Sequence, residues 1–93
     1  MQEVCVISYR LNECNSAQKT AVQRGLNGHL DYSNNGFYLY KRKGILKEIP
    51  NQKIAKGVII ISLKDKPKVI SLLRNNKAWY KSLSLLTKKK ILR

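Results

Sequence analysis

Between Gly36 and Gly44 the chain reads Phe37-Tyr38-Leu39-Tyr40-Lys41-Arg42-Lys43, three aromatics and a leucine running into three cations. In a strand, successive side chains point to opposite faces, so Tyr38, Tyr40 and Arg42 share one face, and Phe37, Leu39, Lys41 and Lys43 the other. The first face offers flat rings for stacking and a guanidinium for phosphate. The second starts apolar and turns cationic, as expected of a strand leaving a core. Charge also breaks here. Residues 1–40 carry three basic side chains (Arg10, Lys19, Arg24) and three acidic ones (Glu3, Glu13, Asp31). Residues 41–93 carry sixteen basic and two acidic, which supplies the whole +14.

Ninety-three residues make one small domain, and a 43% hydrophobic composition excludes a disordered basic tail. Self-repulsion at +14 is relieved by a polyanion, and nucleic acid is the commonest one for a protein like this. The apolar runs, such as Val58-Ile59-Ile60-Ile61, are far shorter than a membrane span. No helical stretch pairs a strong apolar face with a cationic one, so no membrane partner is expected. Cys5 and Cys14 lack metal-ligand spacing, His29 stands apart from them, and a cytoplasmic location follows by default.

Taken in order, Val4 to Leu11 is β-branched and apolar, a first strand. Asn15 or Ser16 caps a helix from about Ala17 to Asn27, which Asn27-Gly28 stops. Ser33-Asn34-Asn35-Gly36 is a turn that launches the second strand. Residues 44–53 read as a long cationic loop or short helical turn, because Pro50 forbids a central strand there. Ile54 to Leu63 is the third strand and the most hydrophobic piece of the chain. Asp65 caps a second helix, with Pro67 in its first turn and Asn75-Asn76 as a left-handed exit. Ala78 to Leu86 alternates again: Trp79, Lys81, Leu83 and Leu85 against Tyr80, Ser82, Ser84 and Leu86. The order predicts an α+β, ferredoxin-like βαββαβ sandwich over residues 1–86. Its four-stranded antiparallel sheet would carry two helices on one face, followed by a basic C-terminal tail over 87–93.

The five carboxylates are scattered one per segment beside a single histidine, so no catalytic residues, metal site or cofactor are expected. Families sharing such a fold differ from this chain at telling positions. The RNA-recognition motif stacks bases on aromatics of its first and third strands, and Gly57-Val58-Ile59-Ile60-Ile61-Ser62 has none. Tyr9-Arg10 resembles in layout the first-strand end of the small CRISPR-associated ferredoxin-like nucleases, without their metal-binding aspartate. Size and charge resemble many small ribosomal proteins.

Electrostatics remains. Lys41, Arg42, Lys43, Lys47, Lys53 and Lys56 cluster around the long connection, Lys64, Lys66 and Lys68 flank the second helix start, and Lys88, Lys89, Lys90 and Arg93 close the chain. With Tyr38 and Tyr40 these are the expected nucleic-acid contacts. An ordinary surface intersperses both signs; this one does not. Lysines meet phosphate as point charges, whereas base readout leans on arginine and amide forks. The expectation is therefore a non-catalytic protein on the backbone of a large structured RNA, as a ribosomal component or beside other ribonucleoprotein subunits. RNA is favoured over DNA; a chromatin-type DNA binder is the alternative, a metal-dependent nuclease the remoter one. The sequence leaves open whether strand edges pair into a homodimer.

Overall fold

β1 (Gln2–Arg10) is the axis of the molecule, a nine-residue strand with a partner on each side. The structure is a computed structural model that describes residues 2–33 and 38–92. After β1 come α1 (Ser16–Asn27), β2 (His29–Ser33), β3 (Tyr38–Arg42), the short α2 (Ile45–Glu48), β4 (Asn51–Ala55) and β5 (Val58–Ser62). A 3-10 turn (Leu63–Asp65), α3 (Lys66–Asn75) and β6 (Trp79–Thr87) complete the chain. The main sheet has the order β4-β5-β1-β6, and every neighbouring pair is antiparallel. β2 and β3 form a separate two-stranded sheet.

Directly opposed residues of an antiparallel pair share a face. Cys5 lies opposite Ile61 and Ile7 opposite Ile59, and all four are buried. The same cluster takes in Val22 and Leu26 of α1, Leu46 of α2, and Val69, Ile70 and Leu73 of α3, so the helices cover this face. The other face opposes Val4, Val6, Ser8 and Arg10 to Leu85, Leu83, Lys81 and Trp79. Leu83 is 60% exposed there, Leu85 43% and Trp79 40%. Of the two alternating sets of β6, the more apolar one thus faces away from the helices.

The two principal helices start and stop for local reasons. Asn15 accepts from the Gln18 N–H at 2.8 Å while the Gln18 side chain accepts from the Asn15 N–H at 2.9 Å, a complete capping box on α1. Gly28, at φ +82°, ends α1, and a Cβ there would collide with the Arg42 carbonyl. Gly44 packs equally tightly on Gly28 and Leu26, so the base of the β2–β3 hairpin closes glycine on glycine.

Several expectations are corrected. The strand through Tyr38–Arg42 does not join the main sheet but pairs with His29–Ser33, Ser33 facing Tyr38 and His29 facing Arg42. Alternation defines a strand without naming its partner, and the nearest segment in sequence closes the smallest loop. The vacated sheet position is filled by Asn51–Ala55, its first three residues expected as loop and its last two as the start of the third strand; mostly polar and preceded by Pro50, it lies at the edge, where one partner suffices. The run from Ile54 to Leu63 is therefore broken by a turn at Lys56-Gly57. At α3, Asp65 occupies the cap position without a side-chain cap bond, and it is Lys77, not Asn75 or Asn76, that adopts the left-handed conformation (φ 58°). Three helices are present instead of two.

The segment after β6 is docked on the body of the domain. Gln2 accepts from the backbone N–H groups of Ile91 (2.8 Å) and Leu92 (3.0 Å) and donates to the Leu92 carbonyl (3.1 Å). Gln52 of β4 donates to the Ile91 carbonyl at 2.9 Å, and Leu92 is buried. Lys88, Lys89 and Lys90 are held out as an exposed bend between two anchored ends.

Candidate nucleic-acid interface

The expected cations fall into four places. Lys41 and Arg42 lie on the outgoing strand of the β2–β3 hairpin with Lys43 just beyond, all exposed. Lys47 lies on α2. Lys64, Lys66 and Lys68 gather at the start of α3, and Lys88 to Lys90 form the terminal bend. Lys53 and Lys56 belong to β4 and its turn, on a different part of the surface. Tyr38 and Tyr40 are placed on β3 opposite Ser33 and Asp31; their side chains, like Arg93, lie outside the described residues.

At the start of α3 the chain already supplies an anion. Asp65 is buried at the helix N-terminus, and Lys68 lies 3.9 Å from its Oδ1. A carboxylate is favoured at that end of a helix dipole, so Lys68 is turned partly toward its own chain.

A concave basic surface lies elsewhere. A cleft of about 780 Å³ opens between the C-terminal end of β1, the outer side of α1 and the β4–β5 turn. Its walls carry Arg10, Lys19, Arg24 and Lys56, and among the described side chains no carboxylate lines it. Lys19, Gln23 and Asn27 repeat every four residues and so occupy one stripe of α1, with Arg24 beside it. Lys53 donates to the Asn27 side-chain oxygen at 2.8 Å, which brings a fifth cation to the rim. The Arg10 guanidinium lies 4.1 Å from the centre of the Trp79 ring, a cation–π contact that fixes the fork at the mouth. Tyr9 is half-buried in the wall, and burial pushes its phenol above its ordinary value.

Sequence reasoning missed Arg10, Lys19 and Arg24 because they belong to the half of the chain whose charges cancel. All three basic residues of that half converge on this one cleft, while neither Glu3 nor Glu13 does. The i, i+4, i+8 stripe on α1 was readable; that Arg10 and Lys56 join it depends on the Lys56-Gly57 turn packing against Tyr9.

Cys5 and Cys14 are buried free thiols, 0% and 7% exposed. Burial pushes the Cys5 thiol up, which the charge of Lys66 only partly offsets. Both behave as small core residues. No helix among the described residues is long and apolar enough to cross a membrane. No protein-family model, curated protein or solved structure matches this chain.

Proposed function

We propose that this protein is a non-catalytic RNA-binding protein that holds the phosphate backbone of a large structured RNA, in the cytoplasm, as a ribosomal or ribosome-associated component. The observation that carries this reading is the distribution of its surplus charge. Exposed cations on the β2–β3 hairpin, on α2, at the start of α3 and in the terminal bend face outward from an ordered core. Backbone contacts of this kind position a protein on nucleic acid without reading sequence. The molecule is also long for its mass, with principal extents of 51 × 29 × 20 Å, which spreads those cations over several phosphates.

The order β4-β5-β1-β6, with α1 leading from β1 toward β4 and α3 joining β5 to β6, supports reading the main sheet as a ferredoxin-like βαββαβ unit. On that reading β2, β3 and α2 are an insertion after the first helix. One observation favours DNA instead: a two-stranded ribbon ending in Lys41 and Arg42 is a shape that the B-DNA major groove admits.

Sedimentation of the native protein from cell lysate, with and without RNase or DNase, tests the reading. Migration with large particles that RNase abolishes is expected. Release by DNase alone would transfer the assignment to DNA.

A further inference from the structure

We infer that the cleft lined by Arg10, Lys19, Arg24 and Lys56 is a phosphate-binding site that receives one nucleotide of the bound RNA. The inference rests on the RNA-binding reading and adds a site to it. None of the hairpin, α3 or terminal-bend lysines belongs to it.

Four like charges around one concavity repel one another, and among the described side chains the wall supplies no carboxylate to offset them. The neighbouring helix end does not account for them. The C-terminal end of α1 carries roughly half a negative charge, which the single cation Arg24 in its last turn answers. Lys19 lies two turns back, and Arg10 and Lys56 come from other elements. The same dipole makes the backbone here a poor anion host, so side chains must do the holding. Two of the four are arginines, whose planar forks take phosphate oxygens in pairs, and the Trp79 ring already holds one of them in place.

Size separates a nucleotide from a bare ion. The cleft falls within the roughly 300–1,000 Å³ typical of small-molecule sites and is much larger than one phosphate needs. The uncharged polar side chains of the wall are Tyr9, Asn12, Gln23 and Asn27, a phenol and three amides that can hydrogen-bond a ribose or a base. The phosphate could be the 5′-terminal group of an RNA chain or an internal phosphodiester, since both present the same oxygens.

The test is equilibrium binding of the full chain to a single-stranded RNA decamer carrying either a 5′-phosphate or a 5′-hydroxyl, over a salt series. Wild type is compared with Lys19→Ala/Arg24→Ala, with Lys56→Ala as a second lesion off the helix, and with Lys41→Ala/Lys43→Ala outside the cleft. The helix double variant should bind roughly tenfold more weakly and lose about 1.4 from the magnitude of its log–log salt slope. Lys19→Arg, which keeps the charge and adds a fork, should retain wild-type binding. A 5′-phosphate preference that disappears in the double variant identifies the terminal group as the ligand; equal binding of the two decamers identifies the internal diester. Unchanged affinity and slope in both cleft variants, with binding weakened by Lys41→Ala/Lys43→Ala, would overturn the cleft and leave the wider reading standing. Failure of wild type to bind either decamer would overturn the cleft as a nucleotide site; the wider reading falls only if structured RNA also fails to bind.

Discussion

Tyr9 and Gly57 meet backbone to backbone: the Tyr9 N–H donates to the Gly57 carbonyl at 2.8 Å, and a Cβ on Gly57 would stand 2.7 Å from the Tyr9 carbonyl oxygen. Gly57 also sits at φ +82°, where a side chain is strained. This contact fixes the β4–β5 turn against the end of β1 and so sets Lys56 beside Arg10. Gly57→Ala should therefore cost about 1–3 kcal/mol, read as a lower midpoint in denaturant unfolding. It should also weaken RNA binding beyond Lys56→Ala alone. A variant as stable as wild type would show that the turn tolerates a side chain.

Core and sheet face should answer differently to truncation. Leu73 is fully buried in the cluster that joins α3 to the sheet, so Leu73→Ala should cost about 2–5 kcal/mol. Leu83 is 60% exposed on the face away from the helices, and Leu83→Ser should stay within about 0.5 kcal/mol. Equal losses measured by urea unfolding would mean that Leu83 is covered in solution.

The two helix starts make a second contrast. Asn15→Ala removes a complete capping box and should cost about 1 kcal/mol. Asp65→Ala removes a carboxylate with no cap bond, whose Oδ2 is buried without a hydrogen-bond partner among the described residues. It should cost less than Asn15→Ala. Thermal unfolding of the two variants side by side decides it, and the reverse order would contradict the cap assignment.

These caps show what was legible. Asn15, Gly28 and Pro67 act locally, and α1 and α3 lie where those residues place them. The apolar, β-branched run in β1 and the period-two runs in β3 and β6 were equally plain. Partnership was not. β3 alternates as cleanly as any strand in the chain, yet pairs with His29–Ser33, which carries no comparable pattern. Asn51–Ala55 was unreadable for the opposite reason, because an edge strand needs only one neighbour and can be as polar as a loop. The cleft was hidden by arithmetic. Arg10, Lys19 and Arg24 cancel against Glu3, Glu13 and Asp31 along the chain, and only folding brings the three cations to one cleft.

Alkaline pH should weaken the fold. Burial raises the Cys5 thiol above its ordinary 9.0 and the Tyr9 phenol above its ordinary 10.0. Below pH 9 both groups keep their protons whether the chain is folded or not. Above it the unfolded chain releases protons that the folded one retains, so stability is lost as pH rises through this range. The melting temperature should fall between pH 9 and 11, and Cys5→Ala/Tyr9→Phe should flatten that part of the profile. A profile equally steep in the double variant would place the titration elsewhere.

The central claim is that exposed cations hold RNA by its backbone. The most direct measurement is equilibrium binding of the purified protein to a structured RNA and to duplex DNA of matched length, each over a salt series. Tighter binding to RNA is predicted at every salt concentration. For the duplex DNA, log K should fall linearly with log salt, with a magnitude about 1.8 lower for Lys41→Ala/Lys43→Ala. Affinity that ignores salt, or that is higher for DNA throughout, would contradict it.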